Sequence, residues 1–107
     1  MRVNVKPLSV NEAWKGRRYK TDKYLAYETE LFYKLKPITI PKGKLEINYT
    51  VGYSNKQSDI DNFLKSFTDI LQKKYNFNDN LIYKLSVVKE IVKKGDEFIE
   101  FEIKSYE

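Results

Sequence analysis

The chain has 107 residues, 41% hydrophobic and 15% aromatic, enough for one modest core and a single domain spanning 1–107; with no cysteine, it excludes disulfides and thiolate metal sites. Twenty basic against fifteen acidic side chains leave a net charge of +5, which permits a polyanionic partner without requiring one. No apolar run approaches the roughly 20 residues that cross a bilayer and no signal-type block follows Met1, so the expected location is cytoplasmic.

Arg2 to Lys6 alternates as a strand does and is closed by Pro7. A loop is expected from Leu8 to Lys20, where Lys15, Arg17, Arg18 and Lys20 are interleaved with Trp14 and Tyr19. Cations set among rings suit a nucleic-acid surface, because the charges displace counterions from phosphates while a ring stacks on an unpaired base. Equally, Trp14 and Tyr19 can anchor a solvated loop to the core. Thr21 to Lys36 reads as a helix capped by Thr21 or Asp22, with Tyr24, Tyr27, Glu28, Leu31 and Leu35 at helical spacing and Pro37 behind it. From Lys44 to Tyr53, strict alternation of Leu45, Ile47, Tyr49, Val51 and Tyr53 marks the clearest strand. A polar loop, Ser54 to Ser58, carries Lys56.

Ser58 to Leu71 reads as a second helix whose buried stripe is Ile60, Phe63, Leu64, Phe67, Ile70 and Leu71. Asp59 and Asp61 crowd its expected first turn, where Ser58 or Asp59 can cap it and carboxylates complement the helix dipole. Tyr75 to Asn80 is rich in turn formers, and Leu81 to Val92 then reads as a strand, so Asp79 sits at a loop-to-strand junction. If that strand runs back along the helix, Asp79 approaches the Asp59 and Asp61 end. Three carboxylates meeting in a chain without His or Cys favour a hard cation, Mg²⁺ or Mn²⁺. Lys93-Lys94-Gly95-Asp96 reads as a hairpin turn into a last strand, Glu97 to Lys104. The order strand, helix, strand, helix, strand, strand predicts a two-layer α+β domain: a mixed sheet of about four strands with two helices packed on it.

Asp59-Ile60-Asp61-Asn62-Phe63-Leu64-Lys65, then Asp69-Ile70-Leu71, Asn78-Asp79 and Val87-Val88-Lys89, resembles the signature of RusA-type Holliday-junction resolvases. That signature reads Asp-x-Asp-Asn-x-x-Lys, Asp-x-Leu, Asp-Asp and a strand ending in Lys. Lys6-Pro7-Leu8-Ser9-Val10-Asn11 and Trp14-Lys15-Gly16-Arg17-Arg18-Tyr19-Lys20-Thr21 are similar to the amino-terminal segment of many phage-borne members. One departure stands out: Asn78 replaces the first of two adjacent acids. Asp79 takes the place of the second with a loop one residue shorter, a placement that also brings Val87-Val88-Lys89 into register.

The resemblance implies metal-assisted phosphodiester hydrolysis of four-way DNA junctions by a homodimer, with Asp59, Asp61 and Asp79 as ligands of Mg²⁺, or of Mn²⁺ in its place. Lys65 is implied as the catalytic cation, against the ordinary alternative of an exposed ion pair with Asp61. Trp14, Lys15, Arg17, Arg18, Lys20, Lys56 and Lys89 are the candidate DNA contacts. Asn62, Asp69 and Asn78 are expected to support the acids. Two other readings stay open: a domain that binds branched or single-stranded nucleic acid without cutting it, and a small interaction domain whose acids only cap and solvate.

Overall fold

A computed structural model describes residues 1–15 and 19–107, with Lys15 and Tyr19 as backbone only. Arg17 and Arg18 therefore lie outside the described residues, as does the side chain of Lys15. The elements are β1 (Arg2–Val3), α1 (Val10–Ala13), β2 (Trp14–Lys15), β3 (Tyr19–Lys20), α2 (Asp22–Lys34), β4 (Leu45–Tyr53), α3 (Leu64–Tyr75), a 3₁₀ turn (Asp79–Leu81), β5 (Ile82–Ile91) and β6 (Phe98–Ser105). The expected α+β domain with a mixed four-stranded sheet is present, in the strand order β1-β6-β4-β5. No helix among the described residues is long and apolar enough to cross a membrane.

β4 is the central strand because both its neighbours need it. β5 pairs with it in parallel and β6 antiparallel, and Leu45, Ile47, Tyr49, Val51 and Tyr53 are all buried under the helices. Alternation in the sequence thus reports a strand with one covered face. The core is aromatic. Tyr49 meets Phe63 edge-on at 5.3 Å between centroids and Phe67 at 5.9 Å, and Phe67 reaches Phe101 on β6 at 5.8 Å, which fixes α3 across the sheet.

Four expectations change. Lys93 to Asp96 is a tight turn, with Asp96 N–H donating to Lys93 O at 2.9 Å, but it joins no hairpin: β5 and β6 flank β4 on opposite sides, so the turn crosses over the end of that strand. The segment Leu8 to Lys20 is not plain loop. Ser9 accepts from Glu12 N–H and also donates its hydroxyl to that residue's carboxylate, an N-cap that starts the one-turn α1, and β2 pairs with β3 as a small hairpin. α2 is capped by Thr21 as expected but ends at Lys34, since Leu35 is already extended ahead of Pro37. The acidic helix starts six residues late. Residues 60–63 form turns, α3 opens at Leu64 without a side-chain cap, and Ile60, placed ahead of the helix, is 43% exposed and not part of the stripe.

Candidate active site

The late start of α3 puts Asp59 and Asp61 in a turn, not on a helix. Asp61 O accepts from Leu64 N–H at 3.0 Å and Asp59 O from Asn62 N–H at 3.2 Å, so backbone bonds shape the turn and leave both carboxylates exposed. Asn62 supports this turn through its backbone: its carbonyl accepts from Val10 N–H at 3.0 Å, which docks α1 against it. Buried Ser66 adds a second tie, donating to Leu8 O at 3.0 Å. Lys89 adds a third from β5. Its ammonium donates to the carbonyls of Lys56, at 2.8 Å, and of Ser58, which clamps the loop that delivers the acids.

A groove of about 540 Å³ runs along one flank of α3 and is lined by Asp61, Lys65, Asp69 and Asp79 together with apolar Leu64 and Leu85. Asp61 and Asp79 thus reach one groove from the two ends of the helix. Asp59 is not among its lining residues, although its charge and that of Asp61 are both felt at the Tyr53 hydroxyl beneath. That hydroxyl is pushed up to about 12, chiefly by burial, with the Phe63 backbone opposing and the two carboxylates adding. Among the described residues no three acidic side chains stand close enough together to hold a metal ion. Apart from the Lys65 ammonium, which cannot ligate, the polar side chains lining the groove, Asp61, Thr68, Asp69 and Asp79, offer oxygen, which matches a hard divalent cation.

Two amides hold the turn that carries Asp79. Asn78 accepts from Asn80 N–H at 3.0 Å and so caps the 3₁₀ turn, which is what a neutral residue contributes where an acid was expected. Gln72, which the sequence reading did not single out, accepts from Asp79 N–H at 2.9 Å and donates to Asp69 Oδ1 at 3.3 Å. Its place three residues after Asp69, on the exposed flank of the helix, was the available signal. Asp69 also faces Lys65 at 3.4 Å. Lys65 is therefore paired one turn onward, with Asp69, and not with Asp61, because Asp61 precedes the helix.

The basic amino-terminal segment is partly spoken for. Trp14 packs on Tyr24 at 5.8 Å between centroids, which makes it an anchor of the hairpin, and its indole N–H has no partner among the described residues. Lys20 lies over the Tyr24 ring and pairs with Glu28 at 3.6 Å. Lys73 competes for the same carboxylate at 2.8 Å, and its nearby positive charge, with burial, lowers the Lys20 pKa while Glu28 opposes the shift. Lys56 is exposed on the loop before the acids.

A turn-borne acid and a junction-borne acid line one groove together with the Lys65 cation, a set of side chains that fits a DNA-cleaving hydrolase. The family is shown directly. The family model Endodeoxyribonuclease RusA matches residues 5–104, nearly the whole chain, so this chain belongs to the RusA family of Holliday-junction-resolving endodeoxyribonucleases. Comparison with curated proteins returns no match.

Proposed function

We propose that the protein resolves four-way DNA junctions by paired symmetric nicks, in a Mg²⁺-dependent reaction carried out by a homodimer in the cytoplasm. The observation that carries this is the single groove onto which Asp61, Lys65 and Asp79 open, in a chain of the RusA family. Attack on a phosphodiester is slow because an anionic nucleophile must approach an anion. A divalent cation, Mg²⁺ or Mn²⁺, would be held by Asp59, Asp61 and Asp79 and would supply positive charge to the phosphate oxygens and acidify water.

The remaining work falls to this chain's own side chains. Lys65 is 64% exposed at its side chain, and an exposed pair such as its contact with Asp69 stabilises by only about 0.3–0.5 kcal/mol. Its ammonium is thus free to exchange Asp69 for the scissile phosphate and to stabilise charge developing there. Gln72 and Asn78 keep Asp79 aimed at the groove. Trp14, Lys15, Arg17, Arg18, Lys20 and Lys56 are the proposed contacts to the junction arms, with Lys89 acting through the loop it clamps and Asp69 and Asn62 supporting the acids.

A labelled four-way junction incubated with and without Mg²⁺ tests the reading. Symmetric nicks that need the metal are expected, EDTA should stop them without changing the far-ultraviolet circular dichroism, and Asp61→Asn should abolish cutting while DNA affinity stays equal or rises. An Asp61→Asn protein that nicks at the normal rate would refute the assignment. Junction binding by the unaltered protein with no nicks at any Mg²⁺ or Mn²⁺ concentration would leave the non-cutting binding domain as the better reading.

A further inference from the structure

Glu28 stands where three elements meet, and two lysines reach it. Its carboxylate, on α2, takes the Lys73 ammonium from α3 at 2.8 Å and the Lys20 ammonium from β3 at 3.6 Å, both on the same oxygen. The other ion pairs among the described residues each join one lysine to one carboxylate, so Glu28 alone leaves a directly paired cation over. The surplus is confined. Lys20 also lies over the Tyr24 ring, and two ammonium groups packed on one carboxylate repel each other more than it can offset.

The cluster borders the groove. The Tyr24 hydroxyl, raised chiefly by burial, feels Lys73, Glu28 and also Asp69, which lines the groove. Gln72, next to Lys73 in the chain, carries the bond to the turn of Asp79. A nucleic-acid backbone that leaves the groove past Asp69 therefore meets Lys73 and Lys20 next.

We propose that Lys73 and Lys20 form a backbone-phosphate site beside the groove, and that in the free protein Glu28 occupies it as an internal stand-in for the phosphate. The inference rests on the nuclease reading for its ligand, an arm of branched DNA. Carboxylate and phosphate oxygens both take charge-assisted hydrogen bonds from an ammonium, so the two compete for the same lysines. All three side chains keep contact with water, 45% exposed at Lys73, 29% at Lys20 and 20% at Glu28, so exchange gives up only pairs of the weak, solvated kind. Lysine suits such an exchange, because a compact charge on a flexible stem swings from one oxygen to another with no planar fork to realign. Glu28 thus lowers the affinity for an arm, and the site is blind to base sequence, since phosphate contacts position a duplex without reading it.

Fluorescence anisotropy with a labelled four-way junction, in EDTA and over a series of salt concentrations, tests this on variants shown by circular dichroism to be folded. Lys73→Gln should weaken binding about fivefold to tenfold at the lowest salt and flatten the slope of log K against log salt by about 0.9, the value of one phosphate contact. The loss should be the same on junctions of unrelated sequence, and the single-turnover cleavage rate at saturating protein should not change. Glu28→Gln should tighten binding by about threefold or more. Glu30→Gln, which removes the same charge from the same helix beside Lys34, should tighten it less. An unaltered salt slope in Lys73→Gln, or equal gains from Glu28→Gln and Glu30→Gln, would overturn the proposal. A junction bound with the expected salt response in every variant, yet never cut when Mg²⁺ is supplied, would uphold this site and count against the nuclease reading alone.

Discussion

Lys65 and Gln72 stand on the same flank of α3 and divide the labour of the groove between charge and position. Lys65 carries a mobile cation whose only partner among the described residues is a weak one, so Lys65→Ala should barely move stability, by about 0.5 kcal/mol or less. Cleavage should nonetheless fall about 10²–10³-fold, the usual cost of removing one preorganised donor from developing charge, with junction affinity unchanged. Single-turnover rates beside a binding isotherm measure both, and normal cutting by Lys65→Ala would reject its catalytic role. Gln72 touches no reacting atom. It spans Asp69 and the backbone of Asp79, so Gln72→Ala should weaken Mn²⁺ binding and slow cleavage by about 10–100-fold, the range found when a group orienting a metal ligand is lost. Calorimetric titration with Mn²⁺ gives a readout that a purely structural role would leave alone.

At the scale of elements, β4 organises the domain and its one glycine shows how tightly. Gly52 faces Phe98 across the β4–β6 pair, and a Cβ there would run into Cδ1 and Cε1 of that ring, which is itself pinned by the Arg2 guanidinium 3.6 Å above its centroid. Gly52→Ala should therefore destabilise by about 1–3 kcal/mol through overpacking, and adding Phe98→Leu should recover part of the loss, as urea midpoints of the single and double variants would report. β4 was fully legible because its apolar residues alternate over the whole strand. α2 was legible at its start, where Thr21 is a good cap, but not at its end, where Leu35 turns extended two residues ahead of Pro37. The start of α3 was not: Ile60 extends the helical period of Phe63 and Phe67 backward, but the chain turns instead, and backbone bonds from Asn62 and Leu64 replace a cap. α1 escaped notice because four residues carry no period, although the Ser9 and Glu12 pair was there to be read. The crossing from β5 to β6 was hidden for a different reason, since a tight turn with Gly95 looks the same whether its strands pair with each other or with a third strand between them. Of the candidate site, the acids and Lys65 were visible as a pattern, whereas Gln72 gains its meaning only when the 3₁₀ turn folds back onto α3.

The whole molecule is held together by phenols that must stay neutral, and this sets its behaviour in alkali. Tyr24 and Tyr53 are pushed up to about 12, and Tyr27 and Tyr49 are raised further, in each case mainly because burial penalises the phenolate; Tyr49 also shares a 2.7 Å hydrogen bond with Thr68 that ties β4 to α3. Unfolded, all four titrate near the ordinary value of about 10. Folded pKa values raised above unfolded ones mean that the native state keeps its protons while the unfolded state gives them up. Stability is therefore fully present below about pH 10 and is lost as pH climbs toward the folded values, at about 1.4 kcal/mol per pH unit for each phenol that remains protonated. Four acting together make the fall steep. Thermal melts between pH 8 and 11.5 should show a flat plateau followed by a sharp drop, and the phenolate absorbance of these four rings should rise cooperatively with the loss of helix, as a step separate from that of exposed rings such as Tyr33 and Tyr83. Tyr53 gives the transition a link to the groove, because the carboxylates of Asp61 and Asp59 add to its shift, so Asp61→Asn should ionise it at slightly lower pH. A smooth titration of all nine tyrosines centred near pH 10 with the fold intact would show that these four rings are open to water, and with that the packed aromatic layer beneath the acidic turn would be wrong.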